Sequence, residues 1–146
     1  MLYLDTNVFL YASYRENRFY EDATSLLKRF STREVPITTS SETLQEIIHY
    51  AKNLKRLKLG LKVCRKLLEI VSEPLPVNTI IIEGFLKIVE KYPRLESRDC
   101  LHLAVCLENN VDALVTEDKH LGKVKEVKSY TIKEALEKYG QNLRTN

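Results

Sequence analysis

The chain has 146 residues, inside the roughly 100–200 of one domain, and its 44% hydrophobic and 29% charged content, with only 4 Gly and 4 Pro, excludes disorder, collagen-like repeats and low-complexity sequence. No apolar run approaches the ~18–20 residues of a membrane span, and Asp5 interrupts the apolar opening, which argues against a signal peptide. The formal net charge of +3 comes entirely from the first half, because residues 1–73 carry 12 Lys/Arg against 9 Asp/Glu while residues 74–146 carry 11 against 11.

Met1–Asp5 reads as a short apolar strand ending in a carboxylate, with Thr6 and Asn7 available to cap a helix through Ala12. A second helix is expected from about Phe19 to Phe30, with Ala23, Leu26, Leu27 and Phe30 on one face. Pro36–Thr39 is brief and β-branched, the pattern of a strand. Ser40 and Ser41 offer an N-cap to a helix bearing Leu44, Ile47, Ile48 and Ala51 at helical spacing. The helical pattern continues with a bend near Gly60 to about Val71. Seven cations and no acid lie between Ile47 and Leu68 (Lys52, Lys55, Arg56, Lys58, Lys62, Arg65, Lys66). Such a run is either a solvated helix face or a stripe along a phosphate backbone. Glu73-Pro-Leu-Pro-Val-Asn predicts a short strand leading into a helix capped by Asn78, which ends before Pro93. Ser97 is placed to cap the next helix, to about Asn109. Ala113–Thr116 and Val124–Ser129 read as strands, and Thr131-x-x-Glu134 as a capping box opening a last helix that ends at Gly140. Strands alternating with helices imply an α/β layer architecture with a mainly parallel sheet, as a single domain over residues 1–146. The three cysteines (Cys64, Cys100, Cys106) are odd in number and lack C-x-x-C spacing, which predicts packing roles, no zinc site and a reducing, cytoplasmic setting.

Four carboxylates stand out by position. Asp5 ends the first strand, Glu46 interrupts an apolar helix face, Asp99 lies in the first turn of its helix, and Asp118 follows the strand at Ala113. In a parallel α/β sheet, strand C-termini and helix N-termini share one edge, where ligands bind. Singly, Asp5 could cap a helix, Asp99 could meet the helix dipole and Asp118 could be a turn residue. Together they would repel unless a divalent cation joined them.

Leu4-Asp5-Thr6-Asn7 with Val8 and Phe9 resembles the opening motif of PIN-domain nucleases, the family that includes VapC-type toxins. The resemblance continues in order. Ser41-Glu42-Thr43-Leu44-Gln45-Glu46 is similar to the helix carrying the family's second acid, and Arg98-Asp99-Cys100-Leu101-His102-Leu103-Ala104 to that carrying the third. Val111 to Leu121, with Asp118, is similar to the final strand and fourth acid. Leu121 departs from the pattern where many relatives have phenylalanine. Glu42 rivals Glu46 for the second position, but the apolar surroundings favour Glu46.

The resemblance implies a three-layer α/β/α fold with strand order 3-2-1-4-5, and a metal-dependent ribonuclease that hydrolyses RNA phosphodiester bonds as the toxin of a toxin–antitoxin pair. It implies Mg2+ or Mn2+ as cofactor, with Asp5 and Asp99 as the main ligands, Glu46 and Asp118 as further ligands or holders of metal-bound water, and Thr6, Asn7 and Thr116 as hydrogen-bonding support. Hard ions take oxygen ligands of this kind. The basic run, with Lys52, Lys55, Arg56 and Lys62, would contact RNA. A homodimer and an antitoxin are the expected protein partners. One alternative is a PIN-like RNA-binding or scaffold domain that does not cut. Another is a di-iron carboxylate bundle, suggested by Glu46-x-x-His49 and Asp99-x-x-His102, against which the strands and the Asp in place of Glu both count. His49, His102 and His120 otherwise read as packing or surface residues.

Overall fold

The computed structural model describes residues 1–140, so residues 141–146 of the expected domain lie outside the described residues. The three-residue strand β1 (Leu2–Leu4) is buried throughout. It sits inside a parallel sheet of order β2-β1-β3-β4, with β2 at Ile37–Thr38, β3 at Ala113–Val115 and β4 at Ser129–Tyr130. Leu2 pairs with Ile37 on one side and with Ala113 on the other. Alternation along the strand sends Leu2 and Leu4 to one face and Tyr3 to the other. Helices α1 (Thr6–Tyr11), α2 (Tyr20–Phe30), α3 (Ser41–Asn53), α4 (Leu57–Ile70) and α7 (Ile132–Tyr139) cover the leucine face, and α5 (Thr79–Lys91) and α6 (Ser97–Glu108) cover the tyrosine face. The result is the expected three-layer α/β/α arrangement. No helix among the described residues is long and apolar enough to cross a membrane.

The strand expected around Leu75 is reduced to one parallel bridge with Ser40. The Leu75 amide donates to the Thr39 carbonyl at 2.8 Å and its own carbonyl accepts from Ser41. Pro74 and Pro76 flank it without N–H groups, so the ladder cannot extend. This residual strand lies beyond β2, which preserves the expected strand order. The last strand is Ser129–Tyr130 and not Val124–Ser129. Val124 instead packs in the tyrosine-side core behind a 3-10 turn at Leu121–Lys123.

Local signals set most helix starts. Asn78 caps α5 through the Ile81 amide, and Thr131 and Glu134 form the full capping box of α7. Three expectations need correction. The cap of α1 is Asp5, whose carboxylate accepts from the Thr6 amide at 2.7 Å, and neither Thr6 nor Asn7. Ser97 lies inside α6, with Glu96 at the cap position and no side-chain cap bond. Ser40 occupies the cap position of α3 without capping it, and its hydroxyl is instead hydrogen-bonded to that of Tyr3 at 2.8 Å.

The basic helical region breaks at Leu54–Arg56 and not at Gly60. Lys55 takes the left-handed conformation, φ 55°, that closes helix C-termini. Gly60 has a different task within α4. A Cβ there would stand 2.4 Å from the Ala51 Cβ, so the glycine lets α3 and α4 meet closely. Overpacking costs ~1–3 kcal/mol, against at most ~1 kcal/mol of helix propensity gained from alanine. Denaturant unfolding of Gly60→Ala should therefore show a loss of about 1–2 kcal/mol, partly recovered by adding Ala51→Gly.

Candidate active site

At the C-terminal end of β1, Asp5 is 5% exposed and hydrogen-bonded through both oxygens. One oxygen accepts from the Thr6 amide, and the other accepts from Thr116 at 2.7 Å and from Asn7 at 3.2 Å. Asn7 also donates to Thr116 at 3.3 Å, tying the start of α1 to the end of β3. Burial raises the Asp5 carboxyl above its usual range, while His102, Thr116 and the Thr6 amide oppose that rise. Thr6 supports the site less directly than expected, with its hydroxyl 3.4 Å from both Thr43 and His102.

Asp118 contributes from the segment after β3. Its Oδ1 accepts from the amides of His120 at 2.8 Å and Leu121 at 2.9 Å, so the turn role is real. Its Oδ2 has no such partner among the described residues. Glu117 points elsewhere and accepts from the Ile132 amide at 2.7 Å.

Asp99 lies in the first turn of α6 without capping it, and its carboxylate makes no hydrogen bond among the described residues. Burial, followed by the negative charges of Asp118 and Asp5, raises its pKa to about 7. That interaction ties the three strand-edge acids to one locality. Glu46, on α3, completes the group through His102, whose Nε2 stands 2.6 Å from Glu46 Oε1 and 3.7 Å from Asp5 Oδ1. Glu42 is half-buried nearby, its carboxyl raised by burial and by Glu46, but it has no contact comparable to the Glu46–His102 bond.

His102 is the residue that the sequence reading undervalued. It is buried, as a packing histidine would be, but it lies among the acids at 1% exposure. Burial disfavours its charged form, yet Glu46, Asp5 and Asp99 outweigh that and raise its pKa. The signal was present in the Asp99-x-x-His102 spacing, which puts both side chains on one helix face. His49 does not join them, since it is exposed and paired with Asn53 at 3.2 Å, which removes the basis for a di-iron site. His120 is also exposed.

The donor set is oxygen-rich and negatively charged, which suits a hard divalent cation in kind. Among the described residues, no group of three or more His, Cys, Asp or Glu side chains is arranged so as to hold a metal ion. Lys52, Lys55, Arg56 and Lys62 do not enter the acid cluster. All four are exposed on the α3–α4 hairpin, where the Arg56 guanidinium lies 5.8 Å from the centre of the Tyr14 ring. The three cysteines are free and buried, Cys64 on the leucine side and Cys100 and Cys106 on the tyrosine side.

The sequence profile of the PIN domain matches residues 2–127. The chain belongs to the PIN-domain family. This PIN domain is 31% identical to the ribonuclease VapC23 of Mycobacterium tuberculosis over 121 residues, which span 83% of this chain and 95% of that protein. Its fold is similar to a chain of VapBC2 from Rickettsia felis, solved bound to a DNA fragment from their promoter. The TM-score is 0.69 at 18% identity, over 90% of this chain and 98% of the other. A toxin–antitoxin complex from Klebsiella pneumoniae gives a TM-score of 0.62 at 19% identity, over 87% and 95%. Within this PIN domain, the departure at Leu121 is one of packing, since the side chain is 1% exposed in the tyrosine-side core.

Proposed function

We propose that this PIN domain is a ribonuclease that hydrolyses RNA phosphodiester bonds with a divalent metal ion, Mg2+ or Mn2+, and serves as the toxin of a toxin–antitoxin pair. The observation that supports the reading most is the proximity of the acids, since Asp118 and Asp5 help raise the Asp99 pKa to about 7 and His102 stands within 3.7 Å of both Glu46 and Asp5. The kinship with a VapC ribonuclease and the likeness to a toxin–antitoxin complex support the substrate class and the protein partner.

A bound divalent ion supplies Lewis acidity at the scissile phosphate and lowers the pKa of a water. Asp5 and Asp99 would be its main holders, with Glu46 and Asp118 as further oxygen donors. Thr116 and Asn7 keep the Asp5 carboxylate aimed by occupying its lone pairs on the protein side. Asp99, whose pKa is raised to about 7 without metal, would have to be deprotonated to hold the ion.

The deciding experiment is cleavage of a labelled RNA with Mn2+ and with EDTA. Metal-dependent cleavage abolished by EDTA supports the nuclease, whereas RNA binding without cleavage supports a scaffold domain. Homodimerisation is carried over from the family resemblance and is read by light scattering. The exposed cations of the α3–α4 hairpin would add affinity by releasing counterions. Lys55→Glu with Lys62→Glu should weaken RNA binding and flatten its salt dependence, each lost phosphate contact lowering the log–log slope by about 0.7 on a single strand. Cleavage at saturating RNA should change much less.

A further inference from the structure

Of the three acids that accept hydrogen bonds among the described residues, Glu46 is held by the fewest groups. Asp5 has three partners and Asp118 has two backbone amides, but the only hydrogen bond to Glu46 among the described residues comes from His102. His102 is itself gripped from behind. Its Nδ1 lies 2.5 Å from the Tyr3 hydroxyl, which reaches Ser40 Oγ at 2.8 Å. Tyr3 and Ser40 are both 0% exposed, and the Tyr3 ring meets His102 edge-on with centroids 5.7 Å apart.

We infer that His102 is a positioning residue, the end of a buried Ser40–Tyr3–His102 arm that sets the Glu46 carboxylate beside Asp5. An ionised carboxylate only accepts, so Nε2 must donate to Glu46. Nδ1 then either accepts from Tyr3 or donates to it, and the Ser40 hydroxyl can match either case by rotating. The ring is therefore fixed at both nitrogens in either protonation state. Glutamate on a helix has three rotatable bonds, and without this donor its carboxylate is free to swing away from Asp5 toward solvent. A packing histidine would fill the same volume but would not govern where Glu46 points.

This inference rests on the carboxylates forming a metal centre, so Mn2+ itself is the probe, measured by calorimetry on the full chain without RNA. Wild type should bind Mn2+. His102→Leu should weaken binding about 10–100-fold, as loss of a group that orients a ligand does. His102→Gln, which keeps an N–H donor, should recover much of the affinity. Tyr3→Phe, which releases Nδ1 while keeping the ring, should fall between and carries the test if His102→Leu does not fold. In a Glu46→Gln background, His102→Leu should cost little more, because the two act as one unit. Failure of wild type to bind Mn2+ overturns the metal reading, and this inference with it. Binding by wild type and unchanged binding by His102→Leu or Tyr3→Phe overturns the positioning role alone. An undiminished loss in the Glu46→Gln background does so as well.

Discussion

Asp5→Asn and Asp99→Asn should each lower Mn2+-dependent RNA cleavage at least about 100-fold, because each would remove one of the two main ligands of the proposed metal centre. Asparagine preserves size at both positions, so circular dichroism of the two variants should match wild type. Asp5 also faces the buried His102 at 3.7 Å, so its neutralisation disturbs the Glu46 side of the cluster as well. Glu46→Gln should impair cleavage clearly, whereas Glu42→Gln should cost less than about threefold, since a screened, partly exposed charge contributes little. Cleavage of a fluorescent RNA under single-turnover conditions measures all four. Near-wild-type rates in Asp5→Asn or Asp99→Asn would refute the ligand assignment, and equal losses for Glu42 and Glu46 would move the second acid.

Metal-free Asp99→Asn should be more stable than metal-free wild type at neutral pH. The Asp99 pKa is about 7 in the folded chain against an ordinary 3.8. Between those values the folded state retains a proton that the unfolded chain has released, so stability falls as pH rises through this window and levels off above about 7. The variant lacks this term. Because the carboxylate is only partly buried, screening reduces the effect to about 1–2 kcal/mol, or roughly 3–8 °C in melting temperature at pH 7.5 in EDTA. The Asp99 side chain caps nothing, so no lost cap bond offsets the relief. Mn2+ should then stabilise wild type much more than the variant, because the ion binds the folded site. Its affinity for wild type should fall about tenfold per pH unit below pH 7, as one proton must leave Asp99. Scanning calorimetry at pH 5 and 7.5, with and without Mn2+, reads all of these. Equal Mn2+ shifts in the two proteins would place Asp99 outside the centre.

The parts of the site legible in the sequence are those written in local patterns. Asp5 and Asp118 each close a strand, Asp99 opens a helix, and in a parallel sheet those positions share an edge. The Thr131–Glu134 box and the Asn78 cap were legible for the same reason, since each involves residues three apart. What stayed hidden depends on contacts between distant segments. Glu46 and His102 are 56 residues apart, and Tyr3 and Ser40 are 37 apart. No periodicity marks Tyr3 as anything but a core aromatic, or Ser40 as anything but a cap. Gly60 suggested a bend because glycine weakens helices, when its use is to admit Ala51 from the neighbouring helix. The Leu75 strand was overestimated although Pro74 and Pro76 already stood in the way.

The central strand has a consequence for how the protein is made. β1 precedes the other described elements in the chain, yet it pairs with β3, and Asp5 accepts one of its hydrogen bonds from Thr116, 111 residues further along. Pairings across such a span are the late, slow steps of folding. A nascent chain that has not yet delivered Thr116 and Asp118 lacks both a hydrogen-bond donor to Asp5 and the fourth acid, and so has no assembled cluster. Assembly of the acid cluster thus waits for β3 to be made, and a fragment that stops upstream of β3 should fail to gather it.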